Sequence, residues 1–255
     1  MKMAIMQPYF MPYIGYFQAI SAVDKYILYS NLTFIKEAWM NRNRILLKDG
    51  RVQTIMYPLQ HKSSNTMIYD TKIDNSKPWC KKLQKTIQFN YNDSEYYDEV
   101  FPLLESILFN RKYDFLTDLN ATTICAIADF LDIHTEIEFD NTRFLEMEEV
   151  LAKIEDDYSL MPYLKSKPVR KVARVLEMCR REGCNDFVNA IGGMELYSKE
   201  EFSQYGIELS FVKTHDISYH QIDNHTFEPN LSIIDVLMHN GKEGTKRLLN
   251  EYSLI

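Results

Sequence analysis

Glycine is scarce: 8 in 255 residues. Neither a G-x-G-x-x-G dinucleotide loop nor a G-x-x-x-x-G-K-[ST] phosphate loop occurs, which removes the two commonest nucleotide-binding signatures. Cysteine is also sparse, with Cys80, Cys125, Cys179 and Cys184 scattered and no C-x-x-C pair. That usage fits free thiols in a reducing compartment and points to the cytoplasm. No run approaches roughly 18 apolar residues, so no membrane span is expected. The opening MKMAIMQPYF lacks a basic region followed by a long apolar run, and no secretion signal is read there. A basic surplus is missing too. The formal net charge of −7 argues against nucleic acid as the primary partner, though not against a local phosphate pocket.

What is abundant is aromatic: 17 Tyr and 14 Phe. Lys2–Met6 is a short apolar run ending in Gln-Pro and reads as a buried first strand. Two prolines make residues 7–13 a loop. Gly15 to Val23 reads as helix and Tyr26–Tyr29 as a second strand, the opening of a crossover-type parallel sheet. Asp49-Gly50 between two β-rich runs is a hairpin signal. Apolar stripes from Trp79 onward read as helices, interrupted by a strand-like TEIEF at 135–139. Pro168–Arg181 is amphipathic, Ser198 to Glu201 opens a short helix, Ile207–Val212 is a strand, and Ser232–Met238 a helix stopped at Asn240-Gly241. The expectation is one α/β domain over 1–255, with a parallel-sheet core from about 1–78 and 184–255 and a mainly helical insertion at about 79–183.

Three segments carry more chemistry than a fold requires. Gln7 to Tyr16 (QPYFMPYIGY) brings the chain to the sheet's carboxyl edge, where open α/β sheets bind ligands. Gln7 either contacts ligand there or satisfies local backbone groups. Tyr9, Tyr13 and Tyr16 stack on a base or sugar, or pack. Trp39, Asn41, Arg42, Asn43 and Arg44 group an indole, two amides and two guanidinium forks, a mixture suited to phosphate, carboxylate or sugar hydroxyls. If extended, that segment puts the asparagines on one side and the arginines on the other, so one arginine is expected in the site. The third segment is Asn189-Ala190-Ile191-Gly192-Gly193 with Tyr197, followed by Pro229 to Asp235. Gly192 and Gly193 offer backbone N–H groups to an anion, or form a plain turn. Asp235 lies in a first helical turn, favourable to the dipole; the other reading makes it a general base.

A basic set on the later helix (Lys165, Lys167, Arg170, Lys171, Arg174, Arg180, Arg181) reads as a solvated face rather than a diphosphate edge. His215, His220 and His225 recur every five residues, which spreads them across faces and does not make a metal set. No metal is expected.

The motifs IMQPYFMPYIGYF, WMNRNRI, NAIGG with Leu196-Tyr197, and PNLSIIDVLMHNG together resemble the WbqC-like family of bacterial proteins. The resemblance spans nearly the whole chain. It implies a link to surface polysaccharide and O-antigen (lipopolysaccharide) biosynthesis, and a transferase adding an aminoacyl or acyl group, glycine the candidate, to a nucleotide-linked amino sugar. The donor is left open among ATP with free amino acid, coenzyme A and aminoacyl-tRNA. A more distant resemblance, to HxGH nucleotidylyltransferases, rests on Tyr13-Ile14-Gly15-Tyr16. It implies a nucleotidylyltransferase-like (Rossmann-like) core, while both histidines are tyrosines. The alternative to catalysis is therefore a nucleotide-sugar or glycan-precursor binding protein on that fold.

Overall fold

The first strand, Lys2–Met6 (β1), follows from an apolar run that Gln7 and Pro8 stop. After a loop with two prolines the chain turns into Ile14–Ser21 (α1) and returns as Lys25–Leu28 (β2). Arg42–Leu46 (β3) and Val52–Met56 (β4) form an antiparallel hairpin whose turn contains Gly50 at φ 81°. Then come Trp79–Tyr91 (α2), Tyr97–Leu104 (α3) and Leu116–Phe130 (α4), followed by Glu136–Glu138 (β5) and Leu145–Leu151 (α5). Arg170–Glu182 (α6) delivers Asp186–Ala190 (β6), and Lys199–Ser203 (α7) precedes Glu208–Thr214 (β7). Ile233–Leu248 (α8) and Tyr252–Leu254 (β8) close the chain. This computed structural model describes residues 1–60, 65–221 and 226–255; of the evenly spaced histidines, His225 lies outside them.

The main sheet has the order β5-β2-β1-β6-β7-β8. All its pairings are parallel except β7 with β8. This is a mixed, Rossmann-like α/β fold. Both faces are covered, as parallel strands require, and the period-2 alternation assigns side chains to two cores. Ala4, Tyr26, Leu28, Val188 and Val212 enter the core shared with α1, α2, α3, α4, α8 and the hairpin. Met3, Ile27, Phe187, Leu209 and Phe211 enter the one under α5, α6 and α7. Phe17 and Ile20 pin α1 with no exposed surface, each contributing roughly 1.5–3 kcal/mol of burial.

The stretch from 79 to 183 is not wholly outside the sheet. Its last part supplies edge strand β5, paired to β2, and α6, the element leading into β6. The reason is electrostatic as much as apolar: Lys25 reaches Glu136 (3.0 Å), Glu138 (3.8 Å) and Glu182 (3.1 Å), tying a three-residue strand to its neighbour. The stop expected at Asn240-Gly241 is a kink, with Gly241 at φ 59°, ψ −168°. That conformation is nearly glycine-only, and a Cβ there would come within 2.4 Å of the Tyr96 ring.

Candidate functional site

From β1 the chain moves to β2 on one side, and much later to β6 on the other. The carboxyl ends of β1 and β6 therefore diverge, the place where α/β sheets open a ligand crevice. The turn leaving β1 has no regular structure, yet most of its carbonyls are occupied. Tyr16 donates to the Gln7 carbonyl (2.8 Å) and Asn120 to that of Pro8 (2.8 Å). Asn43 donates to Phe10 (3.0 Å) and Met11 (2.7 Å). Ser232 also reaches Met11 (2.8 Å), and the Ile233 N–H reaches Pro12 (2.9 Å). With its acceptors turned inward, the loop presents Tyr9, Pro12 and Tyr13 outward.

Those residues line a cleft of about 400 Å³ with Trp39, Asn43, Arg44, Ile191, Val212, Lys213, Thr214 and Asn230. Strand β3 builds one wall by alternation. Asn41 and Asn43 point inward, Asn41 donating to the Tyr57 carbonyl at 2.9 Å. Arg42 and Arg44 project to the other side, both over the Trp39 ring, 5.7 and 5.9 Å from its centroid. Arg42 also donates to the Glu37 carbonyl and does not line the cleft. Arg44 does, and it sits 3.4 Å from Glu228. Among the described residues, the Nε donors of both arginines are buried without an acceptor. Burial pushes up the hydroxyls of Tyr9, with Tyr13 adding to it, and of Tyr13. Both stay protonated donors at neutral pH.

The remaining expected residues lie elsewhere. Gln7 is half-buried at the end of β1 and is not part of the cleft lining. Tyr16 is buried, its hydroxyl engaged by Gln7 and pushed well above the usual range by burial. Gly192 is exposed on a short turn, and a Cβ there would meet nothing; Gly193 instead packs so closely that a Cβ would lie 2.6 Å from Asn189 Nδ2. Only Ile191 of that segment reaches the cleft. Asp235 is held from inside the fold. It is 0% exposed, with Oδ1 accepting from Tyr91 (2.8 Å) and Oδ2 from Tyr219 (2.7 Å) and Gln221 (3.0 Å). Such a carboxylate ties α2, the 219–221 segment and α8 together and is not part of the cleft lining.

Lys213, Thr214 and Glu228 were not flagged by any motif. The first two come from the carboxyl end of β7, so the sheet-edge rule is the signal that finds them. The four arginines of the basic set near α6 are internally paired: Arg170 and Arg174 hold Glu148, and Arg180 and Arg181 hold Glu177. A larger cavity of about 780 Å³ opens beyond the same edge near β2 and β5. Among the described residues no lysine or arginine lines it, whereas Arg44 and Lys213 line the cleft.

In the Tyr13-Ile14-Gly15-Tyr16 segment, Tyr13 precedes the first turn of α1 and its ring lies over Gly15, where a Cβ would be 2.4 Å from the ring. Neither tyrosine supplies an imidazole-like pair, since Tyr16 faces inward.

Fold and cleft together define a Rossmann-like α/β protein with a small, cationic and aromatic crevice at its topological switch point. The chain belongs to the WbqC-like protein family, which it matches over residues 7–247. It is 28% identical over 244 residues to "Uncharacterized protein Rv1507c" of Mycobacterium tuberculosis, an alignment covering 95% of each chain. No solved structure matches it. Among the described residues, no helix is long and apolar enough to cross a membrane.

Proposed function

We propose that the cleft binds a nucleotide-linked amino sugar, and that the chain transfers an aminoacyl or acyl group, glycine the candidate, onto its amino group in surface polysaccharide (O-antigen) biosynthesis. The observation that carries the ligand class is Arg44, with an unpaired buried Nε and a loose partner in Glu228, set beside Trp39, Tyr9 and Tyr13. A guanidinium fork suits phosphate oxygens, and aromatic faces suit a base or sugar ring. Transfer forms a bond from the amine nitrogen to the acyl carbon as the donor's leaving group departs with its electron pair. The amine's proton must go to a base. Asp235 is sealed from the cleft, so Glu228 is the carboxylate in this reading: it lies against Arg44 and is released when the arginine turns to phosphate.

Binding is tested by thermal shift against nucleotide sugars, nucleotides and amino acids. A ligand at about 100 times its Kd stabilises by roughly 2.7 kcal/mol. Arg44→Ala is expected to weaken nucleotide-sugar binding roughly ten- to hundred-fold, the loss of about 1.5–3 kcal/mol for a charge-assisted contact. No binding by the parent removes the substrate class. Transfer is tested by the mass of the amino sugar after incubation with ATP and glycine, glycyl-coenzyme A or glycyl-tRNA. The sealed Asp235 and the missing histidine pair favour one second reading, a non-catalytic nucleotide-sugar or glycan-precursor binding protein. Binding without any mass gain selects it.

A further inference from the structure

The larger cavity has a chemistry opposite to that of the cleft. It measures about 780 Å³, within the range of small-molecule sites. One wall is a face of α4 with small residues, Ala121, Cys125 and Ala126, and this smallness makes the room. The opposite wall is the carboxyl end of β2 and the segment after β5, where Phe139 stands 58% exposed. An exposed aromatic ring at the mouth of an apolar cavity is a surface waiting for a flat or apolar body.

Its polar groups select charge. Asp118, Asp129 and Asp140 line it, and among the described residues no lysine or arginine does. Thr142 occupies Asp140, which leaves Asp118 and Asp129 at the two ends of the α4 face. Burial, then Asp114, pushes the Asp118 carboxyl up. Deeper in, Asn141 is only 5% exposed. Its Nδ2 gives both protons away, to the Leu28 carbonyl (2.9 Å) and the Phe139 carbonyl (2.9 Å), while its Oδ1 is buried with no donor among the described residues. A buried acceptor without a donor is rare and calls for one. The cavity thus offers acceptors and negative charge around an apolar floor.

Its position adds a second point. Pro8 lines this cavity and Tyr9 lines the cleft. Consecutive residues are about 3.8 Å apart at Cα, so one turn of chain walls off two spaces of opposite polarity.

We infer that the cavity between α4 and the ends of β2 and β5 is a second ligand site, for a small organic amine with an aromatic or apolar body. The inference rests on this cavity alone and does not need the cleft to bind a nucleotide sugar. Within that reading, it is where a second, non-anionic reactant sits beside the first.

Three probes share one ring system and differ in charge: tryptamine, tryptophol and indole-3-acetate. Methyl ¹H–¹³C spectra of the full chain report both spaces, Ala121, Ala126 and Leu145 for the cavity and Ile191 and Val212 for the cleft. Tryptamine is expected to shift the cavity methyls with at least fivefold higher affinity than indole-3-acetate, with tryptophol between. Asp118→Asn combined with Asp129→Asn, both exposed and so compatible with folding, should erase that order. Arg44→Ala should leave the tryptamine response unchanged, which separates this site from the cleft. The inference is overturned if none of the probes shifts the cavity methyls at millimolar concentration, if indole-3-acetate binds as well as tryptamine, or if the double variant keeps the preference.

Discussion

Removing the Asp235 carboxylate decides between a buried tie and a catalytic base. In Asp235→Ala, three donors lose this acceptor at once: the hydroxyls of Tyr91 and Tyr219 and the amide of Gln221, which keeps only its bond to the Glu228 carbonyl (3.0 Å). Each stranded buried donor costs about 1–3 kcal/mol, and the three are not additive because they share one acceptor, so the total is about 3–5 kcal/mol. For a chain of this size about 1 kcal/mol moves Tm by roughly 2–4 °C, so the variant should melt roughly 6–20 °C lower. Asp235→Asn should be milder, about 1–2 kcal/mol. The tyrosine hydroxyls can rotate to accept from the new amide, whereas Gln221 is fixed because its Oε1 accepts from the Glu228 N–H (2.9 Å). Differential scanning calorimetry measures both. The reasoning fails if Asp235→Ala melts within about 2 °C of the parent while amine acylation disappears, since that is the behaviour of an accessible base.

Three further outcomes follow from the same geometry. Gly15→Ala should push the Tyr13 ring into the cleft, because the new Cβ would lie 2.4 Å from it; nucleotide-sugar affinity should fall severalfold with little change in melting, and unchanged affinity speaks against Tyr13 as a cleft wall. Tyr16→Phe removes the hydroxyl from the Gln7 carbonyl and should cost about 1 kcal/mol, read as a small drop in denaturant midpoint; a loss of ligand binding with stability intact would make Tyr16 a contact residue instead. Burial raises the Glu177 carboxyl, but bonds from Arg180, Arg181 and Tyr163 outweigh it and hold it to about 2. Its folded value is thus below the unfolded one of about 4.3, so its stabilisation is present above about 4.3 and lost as pH falls toward the folded value. Glu177→Gln should flatten Tm against pH in that window, and an unchanged slope refutes it.

The sequence made some of this legible because local rules dominate there. The Asp49-Gly50 turn specifies the hairpin, and period-2 alternation sorts Arg42 and Arg44 from Asn41 and Asn43 before any contact is known. Parallel pairing of β1 with β2 follows from a strand–helix–strand run within thirty residues. What escaped is long-range. Asp235 stands in a motif, but Tyr91, 144 positions away, together with Tyr219 and Gln221, claims its carboxylate from inside. Tyr16 and Tyr13 are chemically alike, and what buries one and leaves the other half-buried at the cleft depends on where α1 starts. Residues 135–139 read as a strand, yet their partner in β2 is invisible until Lys25 meets Glu136 and Glu182. Lys213 and Thr214 stand in no motif, and only topology brings them to the cleft.

The turn after β1 has a thermodynamic consequence. Ordering a residue costs roughly 1–2 kcal/mol of backbone entropy, so a floppy loop of seven residues would charge any ligand roughly 7–14 kcal/mol before binding it. Here the fold itself has already met that cost. Donors from α1, α4, β3 and α8 fix the carbonyls of Gln7, Pro8, Phe10, Met11 and Pro12, and hold Met11 at φ 43°. A ligand arriving at Tyr9 and Tyr13 meets walls already in place. Its association is then limited by encounter and desolvation, and weak individual contacts suffice to give a measurable affinity.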